Sequence, residues 1–149
     1  MPAPAAKTAR ELLEVTTLLM RSFSARMRQG DHRLDPAHIG ILAKLSFGAS
    51  SLTELAQHQS VRLPTMSRSV ALLVERGWLK RSIPAENRRQ TIVTLTGEGR
   101  RMWVWMKRDA EKHVAQMLAS LDGAERKQVE VGLAILIRVL GVAVRNARE

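Results

Sequence analysis

A chain of 149 residues is long enough for one domain that buries roughly two thirds of its unfolded surface. Its 45% hydrophobic content comes with only three Trp, two Phe and no Tyr, so the core is aliphatic and the composition favours helices. With no cysteine there is no disulfide, thiolate metal site or thiol redox chemistry, a pattern that fits the cytoplasm, and the net charge of +10 directs attention to acidic partners.

The opening MPAPAAKTARELL lacks the apolar run and cleavage signature of a signal peptide, and is expected to be a short frayed N-terminus. No window approaches the roughly 20 apolar residues that cross a bilayer, so no membrane partner is expected. Leu12, Val15, Leu19, Met20, Phe23 and Met27 then fall at steps of three and four, the stripe of a first amphipathic helix that ends at Gly30. A second helix begins at LDPAHIGILAKL, with Asp35 as N-cap and Pro36 in the first helical position. Ile39, Leu42, Ala43 and Phe47 are expected to face inward, and Gly48 closes the segment.

Ser51 and Glu54 form a capping box that predicts a short helix from Leu52 to Gln57 or His58. The next helix runs through LPTMSRSVALLVERGW, with Pro64 at its start and Gly77 as its stop. WLKRSI and TIVTL read as two strands joined by a Pro/Asn/charge-rich break, a β-hairpin with a long loop. A fifth helix of five to six turns follows, capped by Thr96, with Met102, Met106, Ala110, Val114, Met117 and Leu121 on one stripe. Asp122 caps the last helix, with Glu125 at its third position.

Val129, Leu133, Leu136, Ile137, Leu140 and Val144 line one face of that helix. Val131, Ala134, Ile135, Val139 and Val142 widen it beyond what a short helix-turn-helix unit could cover, so a partner is required. The expected fold is mostly α with a small β-hairpin wing: six helices in the order α-α-α-α-β-β-α-α, paired as a homodimer through the terminal helices. The expected domains are residues 1–33 for dimerisation, 34–96 as a winged helix-turn-helix and 97–149 for dimerisation.

Charge is concentrated where the short elements lie. Between Ser60 and Arg108 eleven basic residues face three acidic ones, which places +8 of the +10 in a third of the chain and points to a polyanionic partner. In a winged helix-turn-helix the second helix enters the major groove and the hairpin tip reaches a minor groove. On a wheel of that helix Leu63, Met66, Val70, Leu73 and Val74 form the core side. Thr65, Arg68 and Leu72 lie opposite, flanked by Ser67 and Ser69. Arginine forks onto guanine and hydroxyls serve several base edges, although the helix alone reads equally as a solvated face.

Arg62 offers no capping side chain, so a phosphate is expected at the free N–H groups of the helix start, with Arg62 assisting. Adjacent Arg88 and Arg89 at the hairpin tip, with Gln90 beside them, suit the narrow, negative minor groove. The bland reading is a charged loop that keeps an edge strand soluble.

The segment ELAQHQSVRLPTMSRSVALLVERGWLKRS, followed by ENRRQTIVTLTGEGR, resembles the MarR family of bacterial transcription regulators from its Glu-Leu-Ala opening through Pro-Thr-x-Ser-Arg to Leu-Thr-x-x-Gly. The resemblance covers Leu34 to about Met106 by motif and the terminal helices by layout. It implies base recognition by Thr65, Ser67, Arg68 and Ser69 and minor-groove insertion by Arg88 or Arg89. It also implies an obligate homodimer on a pseudo-palindromic double-stranded DNA operator, acting as a repressor. Such regulators often release DNA when a small phenolic or anionic effector fills a cleft, which places Phe23, Met27, His38, Trp103 and Met106 as candidate ligand residues.

Three positions, in two turns, depart from the family pattern. Asn87 stands where Asp is usual, which would latch the wing less firmly, and Gln59 and Ser60 occupy a turn where an apolar residue and Gly are common. Trp103 and Trp105, two apart, cannot share a helix face, so one is expected to pack and the other to be exposed or line a cleft. His32, His38, His58 and His113 show no metal-ligand spacing. No nucleophile elbow, phosphate loop or paired-carboxylate motif points to an enzyme, and no cofactor is expected. The competing function is a winged helix used for protein interaction or non-specific nucleic-acid binding, without effector response.

Overall fold

The computed structural model describes residues 3–30 and 34–146, with the side-chain surroundings of residues 5–30 and 34–143. In chain order the elements are α1 (Ala3–Gln29), α2 (Pro36–Leu45), β1 (Ser50–Ser51), α3 (Leu52–His58), α4 (Leu63–Glu75), β2 (Leu79–Ser82), β3 (Ile92–Leu95), α5 (Gly97–Met117), a 3-10 turn (Leu118–Ser120) and α6 (Gly123–Asn146). The chain is therefore mostly helical, with six α-helices and a small antiparallel sheet. It divides into two compact units, Met1–Arg108 and Asp109–Glu149.

Within the first unit, the helix starts follow local chemistry. Asp35 Oδ1 accepts from the His38 N–H at 3.0 Å, and Pro36 sits in the first turn of α2, where its missing N–H costs nothing. Ser51 Oγ accepts from the Glu54 N–H at 3.1 Å while Glu54 Oε2 accepts from the Ser51 N–H at 2.9 Å, the reciprocal box expected for α3. Helix α1 begins at Ala3, and the first two residues of the expected frayed N-terminus lie outside the described residues. Alanine is the best helix former and Pro4 falls in the first turn, where it is tolerated.

The sheet has the order β1-β3-β2, with Leu79 opposite Leu95, Ser82 opposite Ile92 and Ser50 opposite Val93. The expected hairpin is β2–β3. The third strand is two residues long, too short to carry a hydrophobic period, and becomes visible only because its backbone pairs with β3. Leu79, Val93 and Leu95 point inward from the sheet onto Ile41, Leu42, Leu55, Met66, Val70 and Leu73, and all belong to one buried cluster.

Two expected core residues lie outside it. Phe47 is 90% exposed because α2 ends at Leu45 and tight turns at Phe47 and Gly48 carry the chain off the helical period. Leu63 is 47% exposed although Met66, three residues on, is buried. Helical side chains lean toward the N-terminus, so that of Leu63, the first residue of α4, projects past the packed turns. The stripe of α1 is likewise divided: Val15 and Met20 are exposed, Phe23 is half-buried and Met27 is buried.

In the second unit Asp122 and Glu125 satisfy each other's backbone N–H at 2.8 and 3.0 Å, a second reciprocal cap. The broad apolar face of α6 is open, with Leu133, Ile135, Ile137, Val139, Leu140 and Val142 all exposed; Val144 lies outside the described side chains.

Hydrogen bonds from the Ser51 N–H and the Ser50 hydroxyl hold the Glu54 carboxyl below the usual carboxylate range. Its contribution to stability is therefore complete above that range and is lost as pH falls through the lowered folded value. Glu54→Ala should lower the unfolding midpoint by about 3 °C at pH 7, and the difference from the parent should shrink on acidification through that value, as read by thermal unfolding followed by circular dichroism.

Candidate nucleic-acid interface

The site is assembled from α3, α4 and the β2–β3 loop. The turn between α3 and α4 places Ser60 at φ 53°, the one non-glycine residue with positive φ among those described. That conformation costs a side-chain-bearing residue about 1 kcal/mol. The turn is held by the N–H groups of Ser60 on Gln57 O and of Val61 on Ala56 O, at 3.1 and 3.0 Å. Gln59 extends its amide to Ala37 O on α2 at 3.0 Å, over Gly40, where a Cβ would lie only 2.6 Å from Gln59 Nε2. The two unusual turn residues thus form a built connection, Gln59 pinning the turn to α2 while Ser60 reverses the chain.

Helix α4 presents the faces expected from its sequence, apart from Leu63. Met66, Val70 and Leu73 are buried and Val74 packs against the same core, while Thr65 and Arg68 are exposed and Ser67 and Ser69 are half-buried. Arg62 occupies the N-cap position without a side-chain cap bond, so the first N–H groups of α4 lack an intrahelical or side-chain partner at the cap. Between Leu55 and Val74 there is no acidic residue, so the formal charges of this stretch are those of the cations Arg62 and Arg68.

Ser67 differs from the other expected base readers. Arg81 on β2 donates through Nη2 to Ser67 O at 2.7 Å and lies 3.5 Å from Ser67 Oγ. The Ser67 hydroxyl therefore sits in an intramolecular bridge between helix and wing strand. Sequence reasoning missed Arg81 because the bridge spans 14 residues and two kinds of secondary structure, and no periodicity marks it.

Beyond β2 the wing turns twice, with the Asn87 N–H on Pro84 O at 3.2 Å and the Gln90 N–H on Asn87 O at 3.1 Å. Asn87 Oδ1 accepts from the Arg89 N–H at 3.2 Å, an Asx turn that fixes backbone rather than guanidinium. An amide oxygen serves this contact as a carboxylate would. Arg88 and Arg89 are exposed and Gln90 is half-buried at the loop's return.

The expected ligand residues are distributed along the first unit. Met27, His38 and Met106 are buried, Phe23 and Trp103 are half-buried, and Trp103 packs against the core while Trp105 is 47% exposed. His38 Nδ1 lies 3.5 Å from Asp35 Oδ2 yet makes no hydrogen bond. None of these five residues lines a surface groove on α1 bounded by Thr16, Thr17, Met20, Arg21, Ser24 and Arg28, or one on α5 bounded by Arg100, Arg101, Val104, Trp105 and Arg108. His32 falls outside the described residues. Among the described residues no group of His, Asp or Glu could hold a metal ion, and no helix is long and apolar enough to cross a membrane.

Residues 36–91 match the model of the MarR family. The transcriptional regulator Tm0710 of Thermotoga maritima superposes with a TM-score of 0.74 at 23% identity, over 97% of this chain and 99% of that one. Sco3205 of Streptomyces coelicolor, a MarR family transcriptional regulator in complex with DNA, gives 0.61 at 23% identity over 94% and 89%. FabT of Streptococcus pneumoniae, also in complex with DNA, gives 0.64 at 17% identity over 93% and 99%. At these identities the likeness is one of fold. Among proteins of curated function, none matches the sequence.

The Arg81 bridge is exposed, so one charge-assisted hydrogen bond there is worth about 1 kcal/mol. Arg81→Met should lower the unfolding midpoint by about 3 °C and accelerate amide exchange in β2; an unchanged midpoint and exchange pattern would show that the bridge carries no stability.

Proposed function

We propose, from the match of residues 36–91 to the model of the MarR family, that the chain is a sequence-specific regulator of transcription that binds double-stranded DNA as a homodimer. The observation that carries this reading is the pairing, within one compact unit, of a short acid-free helix face with an arginine-tipped hairpin. Arg68 and Thr65 read base edges in the major groove, with Ser69 on the flank, while Ser67 acts from within its bridge to Arg81. The uncapped start of α4 and Arg62 take a backbone phosphate. Arg88 and Arg89 enter the adjacent minor groove and Gln90 supports the loop's return.

The open face of α6 supports the dimer. Six large aliphatic side chains left in water form a stripe too broad for a monomer's surface, and a second copy covers it isologously. In domain terms, residues 1–33 and 97–149 serve pairing and 34–96 serve DNA. The regulator acts in the cytoplasm as a repressor, released when a small phenolic or anionic effector reaches Phe23, Met27, His38, Trp103 and Met106. Support for that location is the burial of Met27, His38 and Met106 and the unpaired Nδ1 of His38.

Selection of duplexes from a randomised pool tests the function. The expected winner is a pseudo-palindrome with half-sites about one helical turn apart, bound at least ~10³-fold more tightly than random duplex. Binding without such preference would instead favour a non-specific or protein-interaction module. On the selected duplex Arg68→Ala should cost about 1–3 kcal/mol and relax base preference, whereas Arg89→Ala should weaken all sequences and flatten the salt dependence by about one unit of slope. Ile137→Asp, at a position 71% exposed in the single chain, should halve the mass measured by light scattering; a persistent dimer would move the interface off α6.

A further inference from the structure

Leu63 is the residue on which the expected and observed faces of α4 disagree. It occupies the first position of the helix, 47% exposed, between exposed Arg62 and exposed Pro64 and Thr65. Val61 in the preceding turn is exposed as well. A lone exposed leucine is ordinary on a protein surface. Its setting is what gives this one a role: an apolar tip at the leading end of a helix, next to Arg62 and on the same helix as Arg68, in a stretch from Leu55 to Val74 that contains no carboxylate.

A surface of that charge attracts a polyanion, and the apolar feature that B-form DNA displays in its major groove is the C5-methyl group of thymine. In helix-turn-helix docking the N-terminal residues of the second helix contact base edges. Its backward lean carries the Leu63 side chain ahead of the helix, the direction in which an inserted helix meets the floor of the groove. We infer that Leu63 is a specificity residue that reads the 5-methyl group of a thymine in each half-site, selecting T over C at a position that the hydroxyls of Thr65 and Ser69 would leave ambiguous. This rests on the DNA-binding reading above and adds a residue and a base group to it.

The test uses the full chain and the symmetric duplex selected from a randomised pool. Each symmetry-related pair of thymines is replaced in turn by deoxyuridine, which removes only the methyl group. One pair should show a loss of about fifteenfold in affinity, roughly fourfold for each of its two buried methyls. Leu63→Ala should bind the thymine duplex about as weakly as the parent binds the deoxyuridine duplex and should be indifferent to the replacement. Leu63→Met, which keeps an apolar tip, should retain the methyl preference, and this separates a reading role from a structural one. The inference is overturned if a preferred symmetric duplex exists but no thymine methyl contributes, or if the deoxyuridine penalty is the same in Leu63→Ala. If no symmetric duplex is preferred at all, the DNA-binding reading itself falls, and the inference with it.

Discussion

One hydroxyl group joins the parts of the winged unit. Thr96 Oγ1 donates to Gly77 O at 2.6 Å and accepts from the Gly99 N–H at 3.0 Å, while the Thr96 N–H donates to Trp78 O at 3.0 Å. The exit of α4, the root of the hairpin and the start of α5 therefore meet at a single residue. Gly99 makes the approach possible, since a Cβ there would collide with the Trp78 carbonyl, and Gly77 turns the chain with φ 77°. The Trp78 ring lies buried at this point, with the Arg76 guanidinium 5.3 Å from its centroid. Because α4 and the wing leave the same junction, the angle between helix and hairpin is set there by the short bonds of one hydroxyl and by backbone contacts.

A second level of control lies farther along both elements. Arg81 crosses from β2 to Ser67 on α4, and the Leu52 N–H donates to Thr91 O at 2.9 Å, attaching the start of α3 to the far side of the hairpin. Gln59 reaches back to α2 over Gly40. Helix α4 and the hairpin loop are therefore braced at root, middle and flank, while their tips, Leu63 with Thr65 on one side and Arg88 with Arg89 on the other, stay exposed. Such an arrangement would keep the cost of ordering low for the proposed binding of a rigid duplex.

The departures from the family pattern have a common physical meaning. Ser60 holds a left-handed conformation that glycine would adopt without strain, and Asn87 supplies with a neutral oxygen the backbone bond that a carboxylate could supply. The side-chain oxygen at position 87 contacts the Arg89 backbone N–H.

Sequence by itself determined the elements whose causes are local. Asp35, Ser51, Thr96 and Asp122 each find their N–H groups three residues on, Gly77 ends α4, and the 3.6-residue period separates Met66, Val70 and Leu73 from Thr65 and Arg68. Tertiary structure decided whatever depends on neighbours far along the chain: the pairing of β1 with β3, the Arg81 bridge that takes up Ser67, the need for glycine at position 99, and the outward placement of Phe47 and Leu63. The division follows from range. A cap or a period is satisfied within one or two turns of its own backbone, but whether the end of a helical stripe is covered depends on where another element stops, and no short stretch of sequence contains that information.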